Sequence, residues 1–218
     1  MIITRLERQK KNRTRISVYL DDEFAFGVND EAVYRFGLHK GMELDEERRA
    51  EIECYDQRVQ AKRVAERYIG ARMRSEREVR QRLRQKEFDE EVIDETVESF
   101  RRVRLIDDRA FAEAWVRDRL LLRPRAPSLL RAELRRKGIA GDIIEEVLSA
   151  QFDEGDVESL AFDMAAQYRR AHPSLAPDVL KRRLAGYLQR KGFSAGVAYR
   201  AVEDRGGSMR IDEEREDR

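Results

Sequence analysis

The sequence predicts a mainly α-helical chain: tandem three-helix repeats stacked into an elongated, curved solenoid, preceded by a small N-terminal β-hairpin. Three observations carry the prediction. A basic heptapeptide recurs three times at a period of about 50 residues. Apolar residues within each copy fall at i, i+1, i+4 and i+5, which is one face of a helix. Near the start, two short runs alternate apolar and polar residues across a polar turn, the pattern of a hairpin.

The hairpin comes first. Ile16, Val18 and Leu20 alternate with Ser17 and Tyr19, and Phe24, Phe26 and Val28 alternate with Ala25 and Gly27; Asp21-Asp22-Glu23 lies between. The polar, basic segment from Met1 to Arg15 has no secretory apolar core, and β-structure is expected only over Ile16–Val28. A short helix from Glu31 to Phe36 and a turn at Gly37-Leu38-His39-Lys40-Gly41 complete a region expected to span 1–55.

The repeats follow, with expected boundaries 56–108, 109–156 and 157–205. Their signature is Arg82-Leu83-Arg84-Gln85-Lys86-Glu87-Phe88, Glu133-Leu134-Arg135-Arg136-Lys137-Gly138-Ile139, and Tyr187-Leu188-Gln189-Arg190-Lys191-Gly192-Phe193. Each repeat opens with an apolar helix: Ala61, Val64, Ala65 and Tyr68; Phe111, Ala112, Trp115 and Val116; Leu160, Ala161, Met164, Ala165 and Tyr168. Trp115 matches Val64 and Met164 in register and reads as a core residue. The third helices are marked by Val92-Ile93 with Val97, Ile143-Ile144 with Val147-Leu148, and Val197-Ala198 with Ala201-Val202. No such helix is long enough to be stable alone, but three together can close a core.

Punctuation agrees with this division. Ser75 and Glu78 form a capping box at the second helix of the first repeat. Gly138 and Gly192 stand where a helix ends in a left-handed residue. Glu87 occupies that place in the first repeat, at a cost of about 1 kcal/mol. Asp89 and Ser194 are suited to cap the third helices, whereas Ala140 is not. Pro124 and Pro127, then Pro173 and Pro177, separate first from second helices. From 206 to 218 the chain is nearly all charge and reads as a disordered tail.

Composition excludes several functional classes. Apolar and charged residues each make up 41% of the 218-residue chain, enough for a distributed core. One cysteine, Cys54, cannot form an internal disulfide and fits a reducing compartment, here the cytoplasm. No apolar run approaches a membrane span. No phosphate-binding glycine loop is present. His39 and His172 lie in different regions and, with a lone cysteine, make no zinc site. Asp107-Asp108 sits between two repeats and reads as a turn and helix cap rather than an acid–base pair. The expectation is a protein without catalytic residues, metal or cofactor, acting as a monomer by binding other macromolecules.

Net charge is only +1, but charge is sorted within each repeat. Lys62 to Lys86 holds ten Lys or Arg and three acids, Arg117 to Lys137 eight and two, and Arg169 to Lys191 seven and one. Glu87 to Phe100 and Gly141 to Leu160 each hold seven acids and no base. Two readings stand: acidic third helices pair with basic neighbours, or the basic helices form a stripe for a polyanion or an acidic protein surface. The candidate partner-binding residues are Arg80, Arg84, Lys86, Arg131, Arg135, Arg136, Lys137, Arg182, Arg183, Arg190 and Lys191. Within these helices the cations interleave with Leu rather than with Tyr or Phe, which argues against base stacking as the main mode.

Three runs have the order and spacing of a known family. They are Ser75-Glu76-Arg77-Glu78-Val79-Arg80-Gln81-Arg82-Leu83; Leu105-Ile106-Asp107-Asp108-Arg109-Ala110-Phe111-Ala112 followed by Trp115-Val116; and Leu130-x-x-Glu133-Leu134-Arg135-Arg136-Lys137-Gly138-Ile139. With the N-terminal strands and Gly37-Leu38-x-x-Gly41, the chain from Ile16 to Asp204 resembles the RecX family of recombinase regulators. The resemblance implies tandem three-helix repeats that bind the groove of the RecA filament. It implies suppression of strand exchange, ATPase and coprotease activities, a place in DNA repair and the SOS response, weak DNA binding, and no catalytic residues or cofactor. Glu87, the weakly acidic last helix and the charged tail depart from the family pattern. The alternative is a sequence-nonspecific nucleic-acid-binding repeat protein using the same cations.

Overall fold

The computed structural model describes residues 1–10 and 12–204; the tail expected over 206–218 lies outside the described residues. The chain forms two compact units, one comprising Met1–Ile106 and a second beginning at Asp107. Three-helix repeats are present in both, and the described residues hold ten α-helices and one small sheet.

The first unit opens with strands β1 (Ile3–Arg8), β2 (Arg15–Leu20) and β3 (Glu23–Asn29), antiparallel in the order β1-β2-β3. The expected hairpin is β2–β3, with Val18 opposite Phe26 and Ile16 opposite Val28. Its turn residues Asp21 and Asp22 both have positive φ, 49° and 70°, as the twist of a two-residue hairpin requires. Strand β1 corrects the expectation that β-structure is confined to Ile16–Val28. A bulge between Ile3 and Arg5 shifts its register, so Ile3 faces Leu20 and Leu6 faces Val18. Two residues three apart therefore share the buried face, and strict alternation disappears from the sequence.

Helix α1 (Asp30–Phe36) is capped by Asn29, whose side chain accepts from Ala32 N, and ends at Gly37 with φ 62°. The following turn returns to the sheet, where Ile3 N donates to Met42 O at 2.9 Å and Leu44 N to Met1 O at 2.8 Å. Helix α2 (Glu46–Gly70) then runs uninterrupted across the boundary expected at 55/56. Ile52 in its first half is buried in the sheet's core, while Ala61 and Ala65 in its second half enter the first three-helix core. Asp56, midway along, is 3% exposed. It accepts from Asn29 N at 2.7 Å and Asn29 Nδ2 at 2.6 Å and pairs with Arg15 at 3.2 Å.

Helices α3 (Glu76–Arg84) and α4 (Glu90–Arg102) complete the first repeat around Val79, Leu83, Ile93 and Val97. The Ser75–Glu78 capping box is present at α3. Asp89 takes the N-cap position of α4 but makes no side-chain cap bond. The second unit holds two repeats: α5 (Asp108–Leu122), α6 (Pro127–Lys137) and α7 (Gly141–Gln151), then α8 (Glu154–Ala171), α9 (Pro177–Arg190) and α10 (Ala195–Glu203). Their cores centre on Leu130, Leu134 and Ile144, and on Leu184, Leu188 and Ala201. Pro127 and Pro177 stand in the first turns of α6 and α9, where a missing N–H costs nothing. The turns after α3, α6 and α9 carry left-handed Glu87 (φ 60°), Gly138 (φ 85°) and Gly192 (φ 91°).

Within the second unit the two repeats are joined by a contact that the repeat pattern does not show. Ala126 N donates to Lys191 O at 2.9 Å, Ser128 Oγ donates to Gly192 O, and Ala126 is buried in the core around α9. The start of α6 thus rests on the turn that ends α9.

Candidate partner-binding surfaces

The polar residues singled out as possible chemistry are occupied with structure or stand apart. Asp107 accepts from Ala110 N and caps α5. Cys54 and His39 are exposed, and His172 stacks on Tyr168 at 4.1 Å. Among the described residues no group of three or more His, Cys, Asp or Glu is placed to hold a metal ion. No helix there is long and apolar enough to cross a membrane.

The candidate cations divide into two groups. In the first, an acidic third helix neutralises its basic neighbour. Arg80 pairs with Glu76 on its own helix and with Asp94 on α4, and Arg84 forks onto Glu90 with contacts of 2.6 and 2.9 Å. Arg131 forks onto Glu145 on α7 at 2.6 and 2.7 Å. Arg131–Glu145 repeats Arg80–Asp94 one unit later, and Lys181–Glu203 at 3.0 Å ties α9 to α10. Hydrogen bonding from Arg84 and Arg131 holds the Glu90 and Glu145 carboxyls below the usual carboxylate range.

The second group is exposed and, among the described residues, makes no salt bridge to a carboxylate. It comprises Lys86 in the first repeat, Arg135 and Arg136 in the second, and Arg182, Arg183 and Arg190 in the third. Lys137 and Lys191 are half-buried against aromatic rings, 4.9 Å from the Trp115 centroid and 5.6 Å from that of Tyr187. Burial first, then Arg125 and Arg123, pushes the Lys191 ammonium below its ordinary pKa.

Sequence order hid these aromatic contacts because most of the rings come from first helices; Tyr187 is the exception, an aromatic inside a basic helix. Equivalent positions of the first and second helices meet in every repeat with different chemistry. Arg82 lies over Tyr68, 5.7 Å from its centroid; Arg119 Nε donates to Glu133 at 3.1 Å; Tyr168 and Tyr187 pack at 4.9 Å. Trp115, read as core, is half-buried: its ring stacks on that of Phe111 at 5.7 Å between centroids and its Nε1 donates to Glu133 at 2.9 Å. Arg119 covers its face at 4.0 Å.

The first unit also contains a concave surface. Gln60, Val64, Arg67 and Tyr68 of α2, Arg82 of α3, and Lys86 and Phe88 of the following turn line a cleft of about 400 Å³. A smaller hollow of about 130 Å³ shares Gln60, Val64 and Arg67 and extends toward Asn12, Thr14 and Arg15. Of the cleft's cations only Lys86 was singled out from the sequence. Arg67 and Arg82 were legible only as members of a long basic segment, because what selects them is the side of each helix that the fold turns toward the other.

Four models describing parts of one family match the chain in order. Residues 1–45 match the Regulatory protein RecX N-terminal domain, 61–100 the first three-helix domain of RecX, 107–148 the second, and 156–202 the third. A Regulatory protein RecX from Bacillus velezensis is 37% identical over 202 residues, covering 92% of this chain and 76% of that one. One from Clostridium acetobutylicum is 31% identical over 195 residues, covering 88% and 90%. A crystal structure of regulatory protein RecX superposes with a TM-score of 0.68 at 31% identity, covering 93% of this chain and 98% of the other. RecX from Lactobacillus salivarius, at 22% identity and a TM-score of 0.60, covers 68% of this chain and shares the fold.

Proposed function

The chain belongs to the RecX family of regulatory proteins, and from that premise we propose that it binds the RecA–DNA filament in the cytoplasm and inhibits its recombinase, ATPase and coprotease activities. It acts as a monomer, by contact, without catalysis or cofactor. The observation that best supports this reading is the division of its cations. Arg80, Arg84 and Arg131 are spent on neighbouring helices. Lys86, Arg135, Arg136, Arg182, Arg183 and Arg190 are exposed and, among the described residues, make no salt bridge to a carboxylate. Exposed cations repeated with the fold suit a partner that is itself a repeating polyanionic assembly. Several weak contacts carried on one chain combine through effective concentration.

The test is the DNA-dependent ATPase of the cognate recombinase on preformed filaments, measured against protein-to-recombinase ratio at two salt concentrations. Inhibition is expected below stoichiometry, and it is expected to persist at salt that strips the protein from bare DNA. Inhibition that instead tracks DNA coverage and falls with salt as steeply as DNA binding does would favour the nucleic-acid-binding alternative. A prolonged or stimulated ATPase would keep the partner and reverse the sign of regulation.

A further inference from the structure

Helix α3 has two cationic edges that meet opposite fates. Arg80 and Arg84, one turn apart, face α4 and are neutralised by Asp94 and Glu90. Arg82 of α3 and Lys86 of the turn that follows it face α2, where they meet Arg67, Val64 and Tyr68. Among the described residues no Asp or Glu lines that cleft or the hollow continuing from it, and the nearby Asp56 is engaged by Gln60 and Arg15. Of the acids of α4, Glu90 and Asp94 are spent on the opposite edge of α3, Glu95 on Arg58 and Glu98 on Arg101. Arg67, Arg82 and Lys86 line about 400 Å³ together, with no carboxylate among the described lining residues.

The cleft is not simply a charged surface. Val64, Tyr68 and Phe88 give it an apolar wall, with Gln60 supplying an amide. A cleft of this size, with apolar side chains beside convergent polar groups, has room for a ligand side chain. Converging cations beside such a wall gain most from a carboxylate held in a charge-assisted fork.

We propose that the cleft between α2 and α3 is a docking site for an acidic peptide segment, one that places an aliphatic side chain against Val64 and Phe88 between carboxylates bound by Arg67, Arg82 and Lys86. A nucleic acid of the same charge fits less well. Sequence-tolerant binding of single strands depends on free aromatic faces, and Tyr68 already carries Arg74 at 4.0 Å and Arg82 at 5.7 Å from its centroid. Phe88 packs against the core of its repeat. The site does not depend on the filament reading, since its chemistry takes an acidic peptide whatever protein carries it.

Fluorescence anisotropy of the intact protein tests this without recombinase, using three labelled probes: a short peptide alternating Glu and Leu, an all-Glu peptide of equal charge, and an oligothymidylate of equal charge. The Glu/Leu peptide is expected to bind tightest. Arg67→Gln with Lys86→Gln removes two charge-assisted contacts from solvent-facing side chains and should weaken it by about tenfold or more. Arg84→Gln, on the neutralised edge, should leave it unchanged, and circular dichroism confirms that each variant is folded. Equal loss in both variants, no binding of the Glu/Leu peptide, or binding indifferent to the double substitution would overturn the proposal. Preferential binding of the oligothymidylate, lost in the double variant, would overturn it in favour of a nucleic-acid cleft.

Discussion

The carboxylate of Glu133, 5% exposed, accepts the indole N–H of Trp115 at 2.9 Å. The same carboxylate takes Arg119 Nε at 3.1 Å and pairs with Arg125 on the loop before α6. One acid in a basic helix thus fixes a half-buried tryptophan, the preceding helix and the loop that reaches the third repeat. Arg119 and Arg125 keep about a quarter of their side chains in solvent, 25% and 27%, so the carboxylate bears most of the desolvation.

Replacing it should be costly. Glu133→Gln leaves Arg119 and Arg125 without their counter-charge, and about 3 kcal/mol is expected, the low end for breaking a buried pair because both arginines reach water. Urea denaturation checks it. A variant as stable as the parent would mean that the cluster is tolerated rather than stabilising.

Gly192 and Gly37 separate conformational strain from close packing. Both are left-handed, at φ 91° and 62°. A Cβ at Gly37 meets nothing within 4 Å, whereas at Gly192 it would lie 2.7 Å from Leu129 Cβ and 2.9 Å from Ser128 Oγ. Gly37→Ala should cost about 1 kcal/mol, the left-handed penalty alone. Gly192→Ala should add about 1–3 kcal/mol of overpacking and loosen the contact of α6 with the α9 turn. Equal losses in thermal denaturation would mean that α6 moves aside freely.

The same turn in the first repeat offers a gain. Glu87 is exposed and left-handed at φ 60°, where the other repeats carry glycine. Glu87→Gly should relieve about 1 kcal/mol of backbone strain and raise the melting temperature by a few degrees. A lower melting temperature would show that glycine's unfolded-state entropy outweighs the relief.

The repeats were legible because their periodicity, their capping box and Gly138 and Gly192 all describe local structure. Less local features escaped. Strand β1 was hidden by a bulge that spaces its buried residues three apart. The length of α2 was hidden because Ile52 and Ala61 serve different cores on one continuous helix. The side chain of Asp89 could not be foreseen to leave its cap bond unmade. The candidate surface was legible as a set of cations, but not as a division. Whether Arg131 or Arg135 makes the salt bridge depends on which of them reaches Glu145, four residues into a helix that begins after an intervening turn.

That division yields the most direct test of the binding surface. Arg135 and Arg136 are exposed and make no salt bridge among the described residues, while Leu134 beside them is 0% exposed. Lys137 is left in place because it lies over Trp115, so replacing it would disturb packing as well as charge. Arg135→Glu with Arg136→Glu should leave stability within about 0.5 kcal/mol, as for surface substitutions generally, and should weaken inhibition of the recombinase ATPase. Leu134→Ala should do the opposite first, costing about 2–5 kcal/mol through the cavity it leaves in the second repeat, with binding lost only as that repeat loosens. Arg131→Gln removes a cation already neutralised by Glu145 and should change inhibition least. Denaturation curves and ATPase titrations on the three variants separate charge from fold. If the folded double-Glu variant inhibits as well as the parent, the second repeat does not bind through these residues. If Arg131→Gln weakens inhibition as much as the double-Glu variant, pairing within the repeat does not decide which cations reach the partner.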